Sequence, residues 1–165
     1  MRTKCLAAIF ILTTMAAVGY AEDRADFYVG FPIVFAGSQL FGVNGAIDVN
    51  ANKWFGVRSD VGIHVGEVYA DKSLVTFLAG PVFSAPFNRV TPFAHLLFGG
   101  AHSGCGAFNM GCRSSVVFTT AVGAGLNLKM SNSLGVRVLA DDLRTRFGGK
   151  IQHFPRVSAG IVFAF

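Results

Sequence analysis

At 165 residues, with 52% hydrophobic and only 14% charged side chains, 17 Phe and 20 Gly, the chain holds at most one domain of ordinary size. Soluble domains carry roughly 25% charged residues, so a chain this poor in charge must hide apolar surface somewhere other than in water. Its formal charge of +5 and pI near 9.5 come with no basic cluster and no aromatic–basic motif, which argues against a nucleic-acid partner.

Arg2 and Lys4 open the chain ahead of a continuous apolar run, CLAAIFILTTMAAV at 5–18, and the small residues Gly19 and Ala21 precede EDRADF. A basic start, a short apolar core and a small-residue exit are the three parts of a secretory signal. A signal peptide is expected over 1–21, cut between Ala21 and Glu22, with an uncleaved membrane anchor as the competing reading. Cys5 sits too early, with no small-residue lipobox before it, to carry a lipid. Beyond the signal no stretch approaches the ~20 consecutive apolar residues of a spanning helix. The remainder, 22–165, reads as one domain.

From there the dominant period is two, the mark of strands rather than helices. Candidate strands run 26–36 and 40–51. In KWFGVRSDVGIHVG (53–66), Phe55, Val57, Val61, Ile63 and Val65 share one face, against Trp54, Gly56, Arg58, Asp60, Gly62 and His64 on the other. Strands at 73–84 and 90–101 alternate less cleanly, because Leu78 and Val82 interrupt the polar face of the first and Leu97 that of the second. In SVVFTTAVGAGLNLK (115–129), Phe118, Val122, Ala124, Leu126 and Leu128 oppose Thr119, Gly123, Gly125, Asn127 and Lys129. LGVRV (134–138) sets Leu134, Val136 and Val138 against Gly135 and Arg137. After it, Asp141 and Asp142 leave the parity ambiguous, and a bulge or strand end is expected there. In FPRVSAGIVFAF (154–165), Val157, Ala159, Ile161, Phe163 and Phe165 oppose Arg156, Ser158 and Gly160.

The connections alternate in kind. NANK (50–53), SAPFN (84–88) and MSNS (130–133) are tight and turn-forming, whereas 66–73, 100–115 and 146–153 are longer and richer in Gly and charge. Only the first connection, AGSQ (36–39), departs from this rhythm by being short. Eight strands of about ten residues, with short turns at one end and longer loops at the other, match an antiparallel up-and-down transmembrane β-barrel.

Which face is wet follows from the charges. The non-apolar face carries Gly far more often than Lys or Glu, and its few charges are mixed in sign; a water-facing surface has a denser supply. The interior of an eight-stranded barrel is just wide enough for side chains to fill. Arg58, Asp60, His64, His95, Arg137, Asp141 and Arg156 are therefore expected to form a polar network in the lumen, with the apolar face on lipid. A closed barrel also pairs every backbone group within the bilayer. Gly62, Gly80, Gly123, Gly125 and Gly160 then make room for larger lumen neighbours.

Cys105 and Cys112, an even pair in an exported chain, favour a disulfide across SGCGAFNMGC; a metal pair competes, but no further Cys or spaced His accompanies them. No cofactor or metal is expected. Of the histidines, His64 and His95 fall on lumen faces, where a structural hydrogen-bonded role is expected. His102–Ser103 could make a base and nucleophile, yet adjacent strand residues point to opposite faces. His153 completes the set.

The terminal SAGIVFAF, with Ser158, Gly160, Phe163 and Phe165 at alternating spacing, resembles the C-terminal assembly signal of bacterial outer-membrane proteins. With the eight strands, and with RVTPFAHLLFGGAH (89–102) and LGVRVLADDLRTRFGG (134–149) as paired central and penultimate strands, the whole mature chain resembles the OmpA/OmpX/opacity-type small barrels. The resemblance implies a monomer in the outer membrane; the chain departs from the family pattern in that no peptidoglycan-binding domain is expected after the barrel. It further implies contact with outer-membrane lipids, and with the barrel-assembly machinery and periplasmic chaperones during biogenesis. The expected role is structural or adhesion-like, without catalysis. A lipid A deacylase-like barrel is the first alternative, although the His-x-Ser spacing of PagL-type enzymes is absent. A soluble lipocalin-like periplasmic binder is the second.

Overall fold

The computed structural model describes residues 25–35, 39–66, 72–105, 115–147 and 150–165. The expected signal peptide, its cleavage site at Ala21 and Glu22, Cys112 and the side chain of Cys105 lie outside what is described. Eight strands follow in order: β1 (Ala25–Phe35), β2 (Gln39–Asn50), β3 (Phe55–Gly66), β4 (Lys72–Ser84), β5 (Val90–Cys105), β6 (Ser115–Lys129), β7 (Leu134–Phe147) and β8 (Lys150–Ala164). Each pairs antiparallel with the next, and β8 returns to β1 through Asp26↔Ala164 to Val34↔Arg156, so the sheet closes into a barrel. Closure removes both edges and leaves no open row of backbone donors and acceptors.

The alternation read from β3 is the alternation observed. Arg58, Asp60, Gly62 and His64 point inward and are buried, while Val57, Val61, Ile63 and Val65 point outward, each at least half exposed. The tight turns at one end have local chemical causes. The Asn52 side-chain oxygen accepts hydrogen bonds from the Trp54 and Phe55 amides at 2.8 and 2.9 Å, holding the β2–β3 turn. Trp54 thus belongs to this exposed turn and not to the inward row expected of it. Between β4 and β5, Phe87 and Val90 exchange backbone hydrogen bonds around Asn88, whose φ of 50° is left-handed; Asn is among the few residues that tolerate that region. At the same end Phe165 donates its amide to the Ala25 carbonyl at 3.0 Å, so both ends of the barrel sequence meet beside these turns.

Two expectations fail at the opposite end. The strands are 11 to 16 residues long, and β5 runs to Cys105 and β7 to Phe147, well past the apolar alternation. The segment 146–153 is therefore not a long loop: Phe147 pairs with Lys150 and Arg146 with Ile151. Nor does β7 bulge or end at the aspartates. Asp141 pairs with Arg156 and Asp142 with Pro155 in unbroken register, which turns Asp141 inward and Asp142 outward.

The barrel is filled in two manners. Toward the end opposite the turns, Val34, Leu40, Leu74, Leu78, Leu97, Ala101, Ala121 and Leu143 form one apolar cluster. Leu78, Val82 and Leu97, the residues that interrupted the polar faces, are inward-facing packing of the lumen. Nearer the turns, Tyr28, Ala46, Val82, Phe93, Leu139 and Val162 form a second cluster, threaded by charge.

Candidate functional site

Three arginines and three aspartates are buried in the lumen, Arg58, Arg137 and Arg156 with Asp48, Asp60 and Asp141, so their formal charges cancel. Near the turns Arg58 grips Asp48 with two nitrogens, Nε to Oδ1 at 2.6 Å and Nη2 to Oδ2 at 2.9 Å. Arg137 reaches the same carboxylate from β7, with Nη2 2.7 Å from Oδ2. Its Nε donates to Asn127 Oδ1 at 2.7 Å. The two guanidinium carbons lie 4.7 and 5.2 Å from the centre of the Phe93 ring, and Arg137 also lies 5.0 Å from that of Tyr28. Weakly hydrated guanidinium groups suit both the carboxylate fork and the aromatic faces.

One layer further from the turns Arg156 makes the same fork on Asp141, Nε to Oδ1 at 2.9 Å and Nη2 to Oδ2 at 2.6 Å. Its Nη1 reaches Asp60 across the lumen at 3.1 Å. Asn44 donates to the other oxygen of Asp60 at 3.1 Å. The Arg156 guanidinium thus joins carboxylates from two strands, Asp141 of β7 and Asp60 of β3, a geometry lysine cannot reproduce.

His95 links the layers. Arg58 Nη1 donates to its Nδ1 at 3.1 Å, which leaves Nε2 as the protonated nitrogen, 3.4 Å from Asp141 Oδ2. His64 stands apart, donating Nδ1–H to the Leu74 carbonyl at 3.2 Å. Six of the seven expected network residues therefore meet through side chains, and His64 sits above them on a backbone contact. Sequence reasoning did not name Asp48, Asn44 or the aromatic platform of Tyr28 and Phe93, and it placed Asn127 on the inward face without giving it a partner. Asp48 and Asn44 share the inward parity of β2, opposite Phe41, Val43, Ile47 and Val49, so the signal was present in the alternation.

The terminal strand is seated by the same interior. Ser158 is buried and inward, while Phe163 and Phe165 face outward. Gly160 pairs with Gly30, and a Cβ there would strike the Val29 carbonyl and the Gly30 Cα, with Tyr28 Cε2 at 2.8 Å. At Gly125 a Cβ would stand 2.6 Å from the Phe93 ring. Glycine at these points leaves room for the Tyr28 and Phe93 rings to approach the barrel wall. On β5 the inward Ala101 is followed by His102 on the outward parity.

No family model and no characterised protein sequence matches the chain. Among solved structures, Neisserial surface protein A is similar over 86% of this chain and 96% of its own, at 10% identity and a TM-score of 0.69. The attachment invasion locus protein Ail of Yersinia pestis is similar over 87% and 99%, at 17% identity and 0.56. The outer membrane enzyme PagL is similar over 85% and 98%, at 19% identity and 0.54. At these identities the likeness is one of fold: the closed barrel of the small eight-stranded outer-membrane proteins.

Proposed function

We propose that this chain is a monomeric protein of the bacterial outer membrane with a structural or surface-interaction role and no catalysis. The observation that carries the reading is the inverted partition: among the described residues every buried charge lies inside the barrel, and the outward face is dominated by Phe, Val, Leu and Ile. Water would reverse that arrangement, whereas hydrocarbon requires it. Surface and attachment proteins among the structures of the same fold support the role as an expectation.

The described part of the lumen is packed with ion pairs and leucines, which argues against a solute channel. Against catalysis, His95 is held between Arg58 and Asp141 deep in the lumen, and His64 is tied to backbone, so neither is presented to a lipid substrate. Export through a signal cut after Ala21, a Cys105–Cys112 disulfide, and recognition of Ser158, Gly160, Phe163 and Phe165 by the barrel-assembly machinery complete the proposal.

Membrane fractionation with heated and unheated gel samples tests it. The expected result is an outer-membrane protein whose mobility shifts on heating; a soluble, non-shifting protein overturns the reading in favour of a periplasmic binder. Altered lipid A masses in overexpressing membranes, abolished in the His102→Ala variant, would replace it by the enzymatic alternative. Deleting Phe165 is expected to impair assembly.

A further inference from the structure

The outward face of this barrel is almost free of charge, with one local exception. Among the described strand residues, the charged side chains on the outward parity are Asp142, Arg144 and Arg146, all on β7. His153 of β8 pairs with Arg144 and joins them. Asp142 Oδ2 accepts from Arg144 Nε at 2.9 Å and lies 2.8 Å from His153 Nδ1, so one carboxylate orients both neighbours. The terminal nitrogens of Arg144 and the whole Arg146 guanidinium make no hydrogen bond or ion pair with any described residue. On the other side Arg144 pairs with Thr120 of β6, which also faces out.

Position along β8 says what these groups meet. Outward residues from Phe165 to Pro155 are uniformly apolar, a run of roughly 33 Å along the strand. At the usual tilt that is about the 25 Å height of a barrel's lipid-facing band. His153 and its partner Arg144 are the next outward step, on the side away from the turns and termini. There the hydrocarbon ends and lipid head groups begin.

Resting on the outer-membrane reading, we infer that Arg144 and Arg146, oriented by Asp142 and flanked by His153 and Thr120, form a site for the phosphate of an outer-leaflet glycolipid. Two guanidinium groups at alternate positions of one strand stand roughly 7 Å apart at their roots. They can converge on one phosphate with charge-assisted, bidentate hydrogen bonds. The carboxylate holds Arg144 along the wall, and the Thr120 hydroxyl meets a sugar. The longest connection, 106–114, leaves β5 on this side, while the ends of β1 and β8 meet on the other; longer loops mark the outer leaflet, so the partner is the phosphorylated glycolipid outside rather than phospholipid within.

The test uses the full barrel folded in detergent micelles, checked by its heat-dependent gel shift, and titrated with bis-phosphorylated lipid A. The expected result is a preference of roughly tenfold or more over dephosphorylated lipid A and over phosphatidylglycerol, with the preference lost in Arg144→Gln/Arg146→Gln. Arg89→Gln/Lys129→Gln, at the turn end, is expected to keep it. Competition by millimolar inorganic phosphate alone, equal binding of phosphatidylglycerol, or an unchanged double variant each overturns the site. A shifting barrel with no lipid preference overturns this inference alone; a protein that does not shift overturns the membrane reading with it.

Discussion

The lumen is packed by two chemistries in one cylinder. Nearer the turns, Arg58, Arg137 and Arg156 interlock with Asp48, Asp60 and Asp141 around Phe93 and Tyr28; nearer the far rim, Leu40, Leu74, Leu78, Leu97 and Leu143 fill the same bore. Hydrophobic contact is non-directional, so the apolar plug accepts different pairings among its leucines. The ionic layer does not, because each fork demands its own carboxylate on another strand. The contrast teaches that the ionic half specifies which strands face each other, and the leucine half supplies packing.

Breaking the ionic half should cost most. Arg156→Met leaves Asp60 and Asp141 buried without their partner and is expected to destabilise by about 4 kcal/mol, read as a lowered urea midpoint in lipid vesicles. Replacing the forked pair together, Arg156→Met with Asp141→Leu, keeps the remaining buried charges balanced and should recover part of that loss; no recovery would mean the layer adds more than charge balance. In the apolar half Leu97→Ala opens a cavity without stranding a charge, for about 3 kcal/mol. A loss equal to that of Arg156→Met would erase the distinction between the halves. Turning from inside to outside, Val138→Arg places a charge on the apolar wall and should cost about 2 kcal/mol or more in lipid vesicles, and much less in a short-chain detergent where water is near. The smallest effect belongs to the exposed pair: Arg144→Gln should change stability by less than about 1 kcal/mol, shrinking further in added salt. The buried pairs should ignore the salt.

Much of this was legible in the chain. Alternation in β3, β6 and β8 marks strand and face before any coordinates exist, and it places Arg58, Asp60, Arg137 and Arg156 on one side. Asp48 could have been included, since Asn44, Asp48 and Asn50 share a parity opposite Phe41, Val43, Ile47 and Val49. The aspartates at 141 and 142 could be sorted only by carrying the parity of Arg137 forward, which puts Asp141 inward provided that no bulge intervenes. Pairing with β8 separates them, setting Asp141 against Arg156 and Asp142 against Pro155. Strand ends were misjudged for a related reason. Apolar alternation reports contact with hydrocarbon, whereas β5 and β7 continue for as long as their backbones stay paired, into rows that carry His102, Arg144 and Arg146.

By itself, then, the sequence determined the period, the number of strands and the sorting of apolar from polar faces, because these depend on residues two apart in one chain. Only the tertiary structure decided that Arg137 shares Asp48 with Arg58, that Arg156 spans from Asp141 to Asp60, and that Tyr28 lies over the Gly30–Gly160 seam. Those partners sit on strands far apart in the chain, and the register and tilt of a closed sheet bring them to one height. Neither quantity is set by any single strand.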